Sequence, residues 1–215
     1  MNHVIKTIAK RLIPRWLCAT RLRPNAGNTI LLTFDDGPHP EATPAVLDRL
    51  REHEARAIFF VVGNRIDRAP KMLSRILDEG HWLGNHTYSH PNDRPMPYRQ
   101  YLNDLLKCQE AIFDLTGTRP RLHRPPAGQL TMASLFAPKK CGLVTMNWSR
   151  SAEDWLFRSD TAAVSRADEM MDEVEARDIL LFHDERLHTV VALDRLLPAL
   201  RSRGYEFSPN WEQFA

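Results

Sequence analysis

The chain has 215 residues, 43% of them hydrophobic and 26% charged, with a formal net charge of +2. That length suits one domain of the barrel or sandwich kind with a full core, and excludes a globally disordered chain. The small net charge, with Lys and Arg spread along the chain, gives no sign of a nucleic-acid surface. No run of about 18 apolar residues is present, so no membrane-spanning helix is predicted.

Residues 1–28 read as an N-terminal basic amphipathic segment and residues 29–215 as a single domain. In the first segment Ile5, Ile8, Ala9, Leu12, Ile13, Trp16 and Leu17 recur at three- and four-residue steps, with Lys6, Lys10, Arg11 and Arg15 between them and Pro14 interrupting. Two readings stay open: a helix packed on the outside of the domain, or contact with a membrane surface through residues 4–17. One kinked segment holds little apolar area, which favours the first. The segment also lacks the continuous apolar block of a signal peptide, so the expected location is cytoplasmic, with peripheral attachment at the inner membrane as the second option. Cys18, Cys108 and Cys141 are odd in number and none stand at CxxC spacing, which argues against a disulfide framework and a thiolate metal site.

From Thr29 the chain alternates strand and helix. Thr29 to Phe34 is an apolar, β-branched strand that ends on Asp35 and Asp36, and Gly37-Pro38 turns the chain at once. Thr43-Pro44 opens a helix, as a capping hydroxyl followed by proline. Ala57 to Val62 is a buried strand. Pro70 starts a helix that Gly80 stops. Trp82-Leu83-Gly84 is a short strand that delivers Asn85-His86-Thr87-Tyr88-Ser89-His90. A helix from about Tyr98 to Leu115, with Leu102, Leu105, Leu106, Ile112 and Phe113 inward, precedes the strand near Arg121 to His123. Then come Arg124-Pro125-Pro126-Ala127-Gly128, a helix around Met132 to Lys139, and a strand from Leu143 to Trp148. Ser151 to Trp155 read as a loop. A helix from about Thr161 to Val174 leads to the strand Ile179 to Phe182 and then His183-Asp184. A last helix, Thr189 to Arg203, and a short strand at Tyr205 to Phe207 finish the domain.

This alternation means crossover units and a parallel sheet, and uniformly apolar strands mean that both faces are covered. With about seven units and no Gly-rich phosphate fingerprint after the first strand, the expected fold is α/β, a distorted (β/α) barrel. Every polar cluster follows a strand, so Asp35, Asp36, His86, His90, Arg124, Asp154, Trp155 and His183 are expected to share one face.

Two adjacent carboxylates in a low-dielectric place ask for a cation. His86 and His90, four apart, would point the same way on a helical turn and, with a carboxylate, form a His₂-carboxylate set with positions left open for water and substrate. Such a metal acidifies bound water and polarises a carbonyl. One of Asp35 and Asp36 would bind it and the other would take a proton. His183 reads either as the general acid for a leaving group or as a satisfied buried histidine.

Thr33-Phe34-Asp35-Asp36-Gly37-Pro38, His86-Thr87-Tyr88-Ser89-His90, Arg124-Pro125-Pro126-Ala127-Gly128, Asp154-Trp155 and Leu181-Phe182-His183 resemble, in order, the five motifs of the polysaccharide deacetylases. This is the NodB-homology group, carbohydrate esterase family 4. The resemblance spans about Thr29 to Phe207. It implies a NodB-homology barrel, a divalent metal (usually Zn²⁺, with Co²⁺, Mn²⁺ or Ni²⁺ as alternatives) and hydrolytic removal of an N- or O-acetyl group from a sugar; with the expected location and surface segment, the expected partner is an N-acetylated sugar, oligosaccharide or lipid-linked glycan. By motif, Asp35 is the general base and Asp36, His86 and His90 are the metal ligands. Arg124 holds the base, the backbone N–H of Ala127 serves the oxyanion, Trp155 and Leu181 line the acetyl pocket, and His183 is the acid. Two positions depart from the pattern. Ala127 stands where an aromatic residue is usual, which removes one wall of the pocket. Ser151 stands where the fourth motif usually begins with aspartate, which leaves His183 in need of another carboxylate, from Asp154 or Asp184. A deformylase or other amide hydrolase, and a glycan-binding protein with weakened turnover, are the alternatives these departures keep open.

Overall fold

The computed structural model describes residues 13–91 and 96–210. Seven strands form one sheet: β1 (Leu31–Asp35), β2 (Ala57–Val61), β3 (Trp82–Asn85), β4 (Leu122–His123), β5 (Val144–Thr145), β6 (Arg150–Ser151) and β7 (Ile179–His183). Their order is β5-β4-β3-β2-β1-β7-β6, and every pairing is parallel. The sheet curls into a half-barrel in which β1 lies between β2 and β7. Among the described residues six α-helices pack around it: α1 (Ala42–Glu52), α2 (Lys71–Asp78), α3 (Tyr98–Thr116), α4 (Met132–Lys140), α5 (Asp160–Glu173) and α6 (His188–Ser202).

The apolar strands supply two cores because successive side chains point to opposite faces. Ile30, Leu32 and Phe34 pack with Phe59, Phe182 and the helices. Phe34 stacks on both neighbours, at 5.0 Å from Phe59 and 5.7 Å from Phe182. On the other face Leu31, Ile58, Phe60, Leu122, Met146 and Ile179 fill the barrel interior. Both faces are therefore covered mainly by apolar side chains.

Several boundaries differ from expectation. Tyr205 to Phe207 forms no strand; a single bridge joins Thr29 to Glu206. The seventh strand is instead β6, which carries Ser151 out of the expected loop and opposite Leu181. The first helix begins at Ala42, so Thr43 is inside it and caps nothing; its hydroxyl accepts from the His39 N–H at 2.8 Å and binds the Asp184 carboxylate. On α3, Leu106 and Phe113 are exposed, and the buried face is Tyr101, Leu105, Cys108, Gln109 and Ile112. The expected surface segment at residues 4–17 lies largely outside the described residues. Its continuation is built into the barrel: Ala19 bridges to Met146 and Arg21 to Asp178, with Cys18, Leu22 and Ala26 buried.

Candidate active site

Because the sheet is parallel, β1, β3, β4 and β7 all deliver their following residues to one end. The register puts Asp35 level with His183 on β7 and Asn85 level with His123, one residue before Arg124. Asp35, Asp36, His86, His90, Arg124 and His183 are thereby brought together from four strand ends.

Arg124 is fully buried within the barrel. Its Nη1 donates to Asp35 Oδ1 and to Thr33 Oγ1, each at 2.8 Å, and its guanidinium lies 4.2 Å from the Phe60 ring centroid. A charged group in such a place needs a paired, hydrogen-bonded partner, and Asp35 is that partner. One carboxylate oxygen of Asp35 is thus fixed, while Oδ2 faces the cluster, 3.7 Å from His86 Nε2.

Asp36 occupies a left-handed backbone conformation, φ 76°. Arg65 donates to its backbone carbonyl and pairs with Glu185 at 2.8 Å, which holds this turn from outside. Gly37 follows because no side chain fits: a Cβ there would meet the Asp184 carboxylate at 2.2 Å. Burial pushes the Asp184 carboxyl up to about 7, and its hydroxyl partner is Thr43, not His183.

His86 and His90 do not sit on a helical turn. Thr87 and His90 are both left-handed, φ 66° and 49°, and the five residues form a tight loop. Non-glycine residues in that region cost about 1–3 kcal/mol each and persist where the surroundings over-determine them. Here every amide of the loop has an acceptor. His86 donates to Val61 O at 2.9 Å, Thr87 to Asn85 Oδ1 at 2.8 Å, and His90 to Thr87 Oγ1 at 3.1 Å. Tyr88 and Ser89 both donate to Asp104 Oδ2, at 2.9 and 3.0 Å. Asn85 in turn ties the loop to α3 through Leu105 O at 2.9 Å. Asn85 and Asp104 carry no motif signal beyond Asn85 preceding His86, so their role emerges only in three dimensions.

The three ligand atoms of Asp36, His86 and His90 lie within 4.8 Å of one another, the one such group among the described residues. His90 Nε2 is 3.1 Å and His86 Nε2 3.9 Å from Asp36 Oδ1, yet that oxygen is buried without a hydrogen-bond partner. His86 Nδ1 is used on Arg124 O at 2.8 Å, so Nε2 carries the lone pair, and burial lowers the imidazole pKa to about 4, which keeps it neutral. Two imidazoles and an orphaned carboxylate oxygen facing one point fit a divalent cation of the zinc, cobalt, nickel or manganese kind. Asp104→Ala would release two loop amides. It is expected to weaken metal binding by about 10–100-fold, as measured by competition with a chromogenic chelator.

On the opposite side, Asp154 is fully buried and meets His183 twice: Oδ1 at 2.7 Å from Nδ1 and Oδ2 accepting from the His183 N–H at 2.7 Å. Thr189 donates to the same Oδ2 at 2.7 Å. Burial alone would lower the imidazole pKa, but the Asp154 hydrogen bond and charge, with Asp35 and Asp36, raise it to about 9. The carboxylate that the Ser151 departure leaves in question is therefore Asp154. Ser151 itself accepts from the Glu153 N–H at 3.2 Å, and its carbonyl takes Arg166. His183 Nε2 points inward, 3.9 Å from Asp36 Oδ2, and Trp155 meets the imidazole edge-on at 5.4 Å. Leu181 is buried on β7; Ala127 is exposed in a left-handed turn, φ 50°.

The polysaccharide deacetylase family model matches residues 23–146. A peptidoglycan-N-acetylglucosamine deacetylase of Bacillus cereus is 36% identical over 189 residues, covering 86% of this chain and 87% of its own length. The peptidoglycan-N-acetylglucosamine deacetylase PgdA of Listeria monocytogenes is 34% identical over 96% of this chain, which spans only 43% of that protein's length. Among solved structures, the Bc1960 peptidoglycan N-acetylglucosamine deacetylase in complex with a substituted N-oxidanyl-benzamide superposes with a TM-score of 0.85 at 30% identity, covering 98% of this chain and 96% of that one. With a half-barrel of seven parallel strands and this set of strand-end residues, the chain belongs to the polysaccharide deacetylase family.

Proposed function

We propose that the chain is a metal-dependent hydrolase that removes the N-acetyl group from an N-acetylated sugar of a glycan. The observation that carries this reading is the juxtaposition, at one end of the sheet, of an Arg-held aspartate, a buried Asp-His-His cluster and an Asp-held histidine. Names of the relatives support N-acetylhexosamine units of peptidoglycan as the substrate class.

Asp36, His86 and His90 would hold the divalent metal, zinc being the leading candidate. When bound, the metal supplies Lewis-acid polarisation of the amide carbonyl and acidifies water at the site. The chain's own groups do the rest. Asp35, fixed through Oδ1 by Arg124, takes the proton of the attacking water on Oδ2. The Ala127 N–H donates to the oxyanion as it forms. His183, held as an Nε2–H donor by Asp154, gives its proton to the departing sugar amine. Trp155 and Leu181 bound the acetyl methyl.

The weakened-binder reading rested on Ser151, and the Asp154–His183 pair removes that motive. Acetate release from N-acetylglucosamine oligomers by the metal-loaded protein tests the proposal. Bound metal without release of acetate, or of any other acid, from any N-acylated sugar would sink it. Ala127→Tyr is expected to rebuild the missing wall, raising KM for branched glycan fragments several-fold while leaving linear oligomers unaffected.

A further inference from the structure

β5 ends on the same side of the sheet as β1, β3, β4 and β7, yet it supplies none of the groups named above. Two residues beyond it stands Asn147, fully buried. Its backbone N–H donates to Ala19 O at 2.8 Å, which fixes it against the N-terminal segment. Its backbone carbonyl accepts from Arg124 Nη2 at 3.3 Å, and its side-chain Nδ2 donates to Gly128 O at 3.3 Å. One residue therefore touches both the arginine that holds Asp35 and the turn that presents the Ala127 N–H. The amide can face Gly128 only this way round. Turned over, Oδ1 would meet the Gly128 carbonyl, an acceptor against an acceptor.

Asn147 Oδ1 is buried without a hydrogen-bond partner. An unpaired buried amide oxygen costs stability, and leucine would fill nearly the same volume without it. A polar group kept at such a cost calls for a role. The bond to Gly128 O indicates which, because that turn needs holding. Ala127 and Gly128 are both left-handed, φ 50° and 62°, and Ala127, with its Cβ, is strained there. The Gly128 N–H donates to Pro125 O at 2.9 Å and the Gln129 N–H to Pro126 O at 3.1 Å. Both bonds close the turn on itself and leave the Ala127 N–H out. Ser134 holds Gln129 O at 2.8 Å from α4, and Asn147 holds Gly128 O from the end of β5. A donor stabilises a developing oxyanion only if its position is set before the charge forms.

On the hydrolase reading given above, we propose that Asn147 is a positioning residue: through Gly128 it sets the Ala127 N–H toward the oxyanion and keeps that turn in register with Arg124 and Asp35. It is too deeply buried to touch substrate, so it acts through the turn. Its contact with Arg124 is made by the backbone and survives a change of side chain, so substitution isolates the contact with Gly128.

The test measures kcat and KM for acetate release from N-acetylglucosamine oligomers by the metal-loaded full chain, with Tm and metal content alongside. Asn147→Leu removes the donor and keeps the volume. It is expected to lower kcat by about 10²-fold with KM unchanged, because the oxyanion exists only in the transition state. Tm and metal content should match those of the parent protein. Asn147→Ser keeps a donor on a shorter side chain and should recover part of the loss, leaving kcat about 10-fold below the parent. The serine variant also carries the test if the leucine variant does not fold. A leucine variant as fast as the parent, a loss of rate that comes with a lower Tm or missing metal, or a serine variant no better than leucine overturns the assignment. So does a serine variant as fast as the parent where leucine does not fold. A parent protein that releases no acetate fails the hydrolase proposal and this one with it, whereas an active parent with an equally active leucine variant fails only the role of Asn147.

Discussion

Asp154→Asn is expected to lower turnover by about 10³–10⁴-fold with metal content unchanged, the scale seen when the orienting carboxylate of a catalytic histidine is lost. The reason lies in three hydrogen bonds. Asp154 Oδ2 must accept from the His183 backbone N–H and from Thr189, so an asparagine would place its oxygen there. Its amide would then face His183 Nδ1, which could only accept. An imidazole held that way is neutral at working pH and has lost its acidic form. The pH profile provides the independent readout. With Asp154 present, the His183 pKa is raised to about 9, so the charged acid persists below that value and is lost as pH rises through it. In the asparagine variant the alkaline limb should move to lower pH. Ser151→Ala, by contrast, is expected to leave the rate nearly unchanged, since the Ser151 hydroxyl accepts from the Glu153 N–H of its own turn and does not reach His183, while the carbonyl that takes Arg166 survives the change. A large loss in Ser151→Ala together with a mild one in Asp154→Asn would place the orienting group elsewhere.

Asp36→Asn is expected to abolish metal binding and with it at least about 10³-fold in activity, since Lewis-acid stabilisation contributes several kcal/mol. Asparagine is the informative change because it tolerates the left-handed φ that Asp36 adopts, whereas alanine would add backbone strain to the loss of a ligand. Metal analysis of the purified variant should find no bound ion, and added zinc should no longer raise its Tm. His183→Ala should show the reverse pattern: full metal content, a normal zinc-dependent rise in Tm, and no turnover. Loss of metal from His183→Ala would assign His183 to the cation, and retention of metal by Asp36→Asn would remove Asp36 from the ligand set.

The sequence by itself determined the alternation of elements, because apolar strand runs and helical caps are local signals, and it determined which residues end each strand. A parallel sheet then forces those ends together, so Asp35, Asp36, His86, His90, Arg124 and His183 were readable as one site before any coordinate. Tertiary structure alone decided what supports them. The partner of His183 was left open between Asp154 and Asp184, and no local pattern states which carboxylate a turn will bury against an imidazole 29 residues away. The loop from His86 to His90 is not helical because Asn85, Thr87 and Asp104 offer its amides better acceptors than a helical turn would, and Asp104 arrives from a different element. Leu106 and Phe113 fit a helical stripe by spacing, yet α3 turns Tyr101, Cys108 and Gln109 inward, since spacing fixes a periodicity and packing fixes its phase.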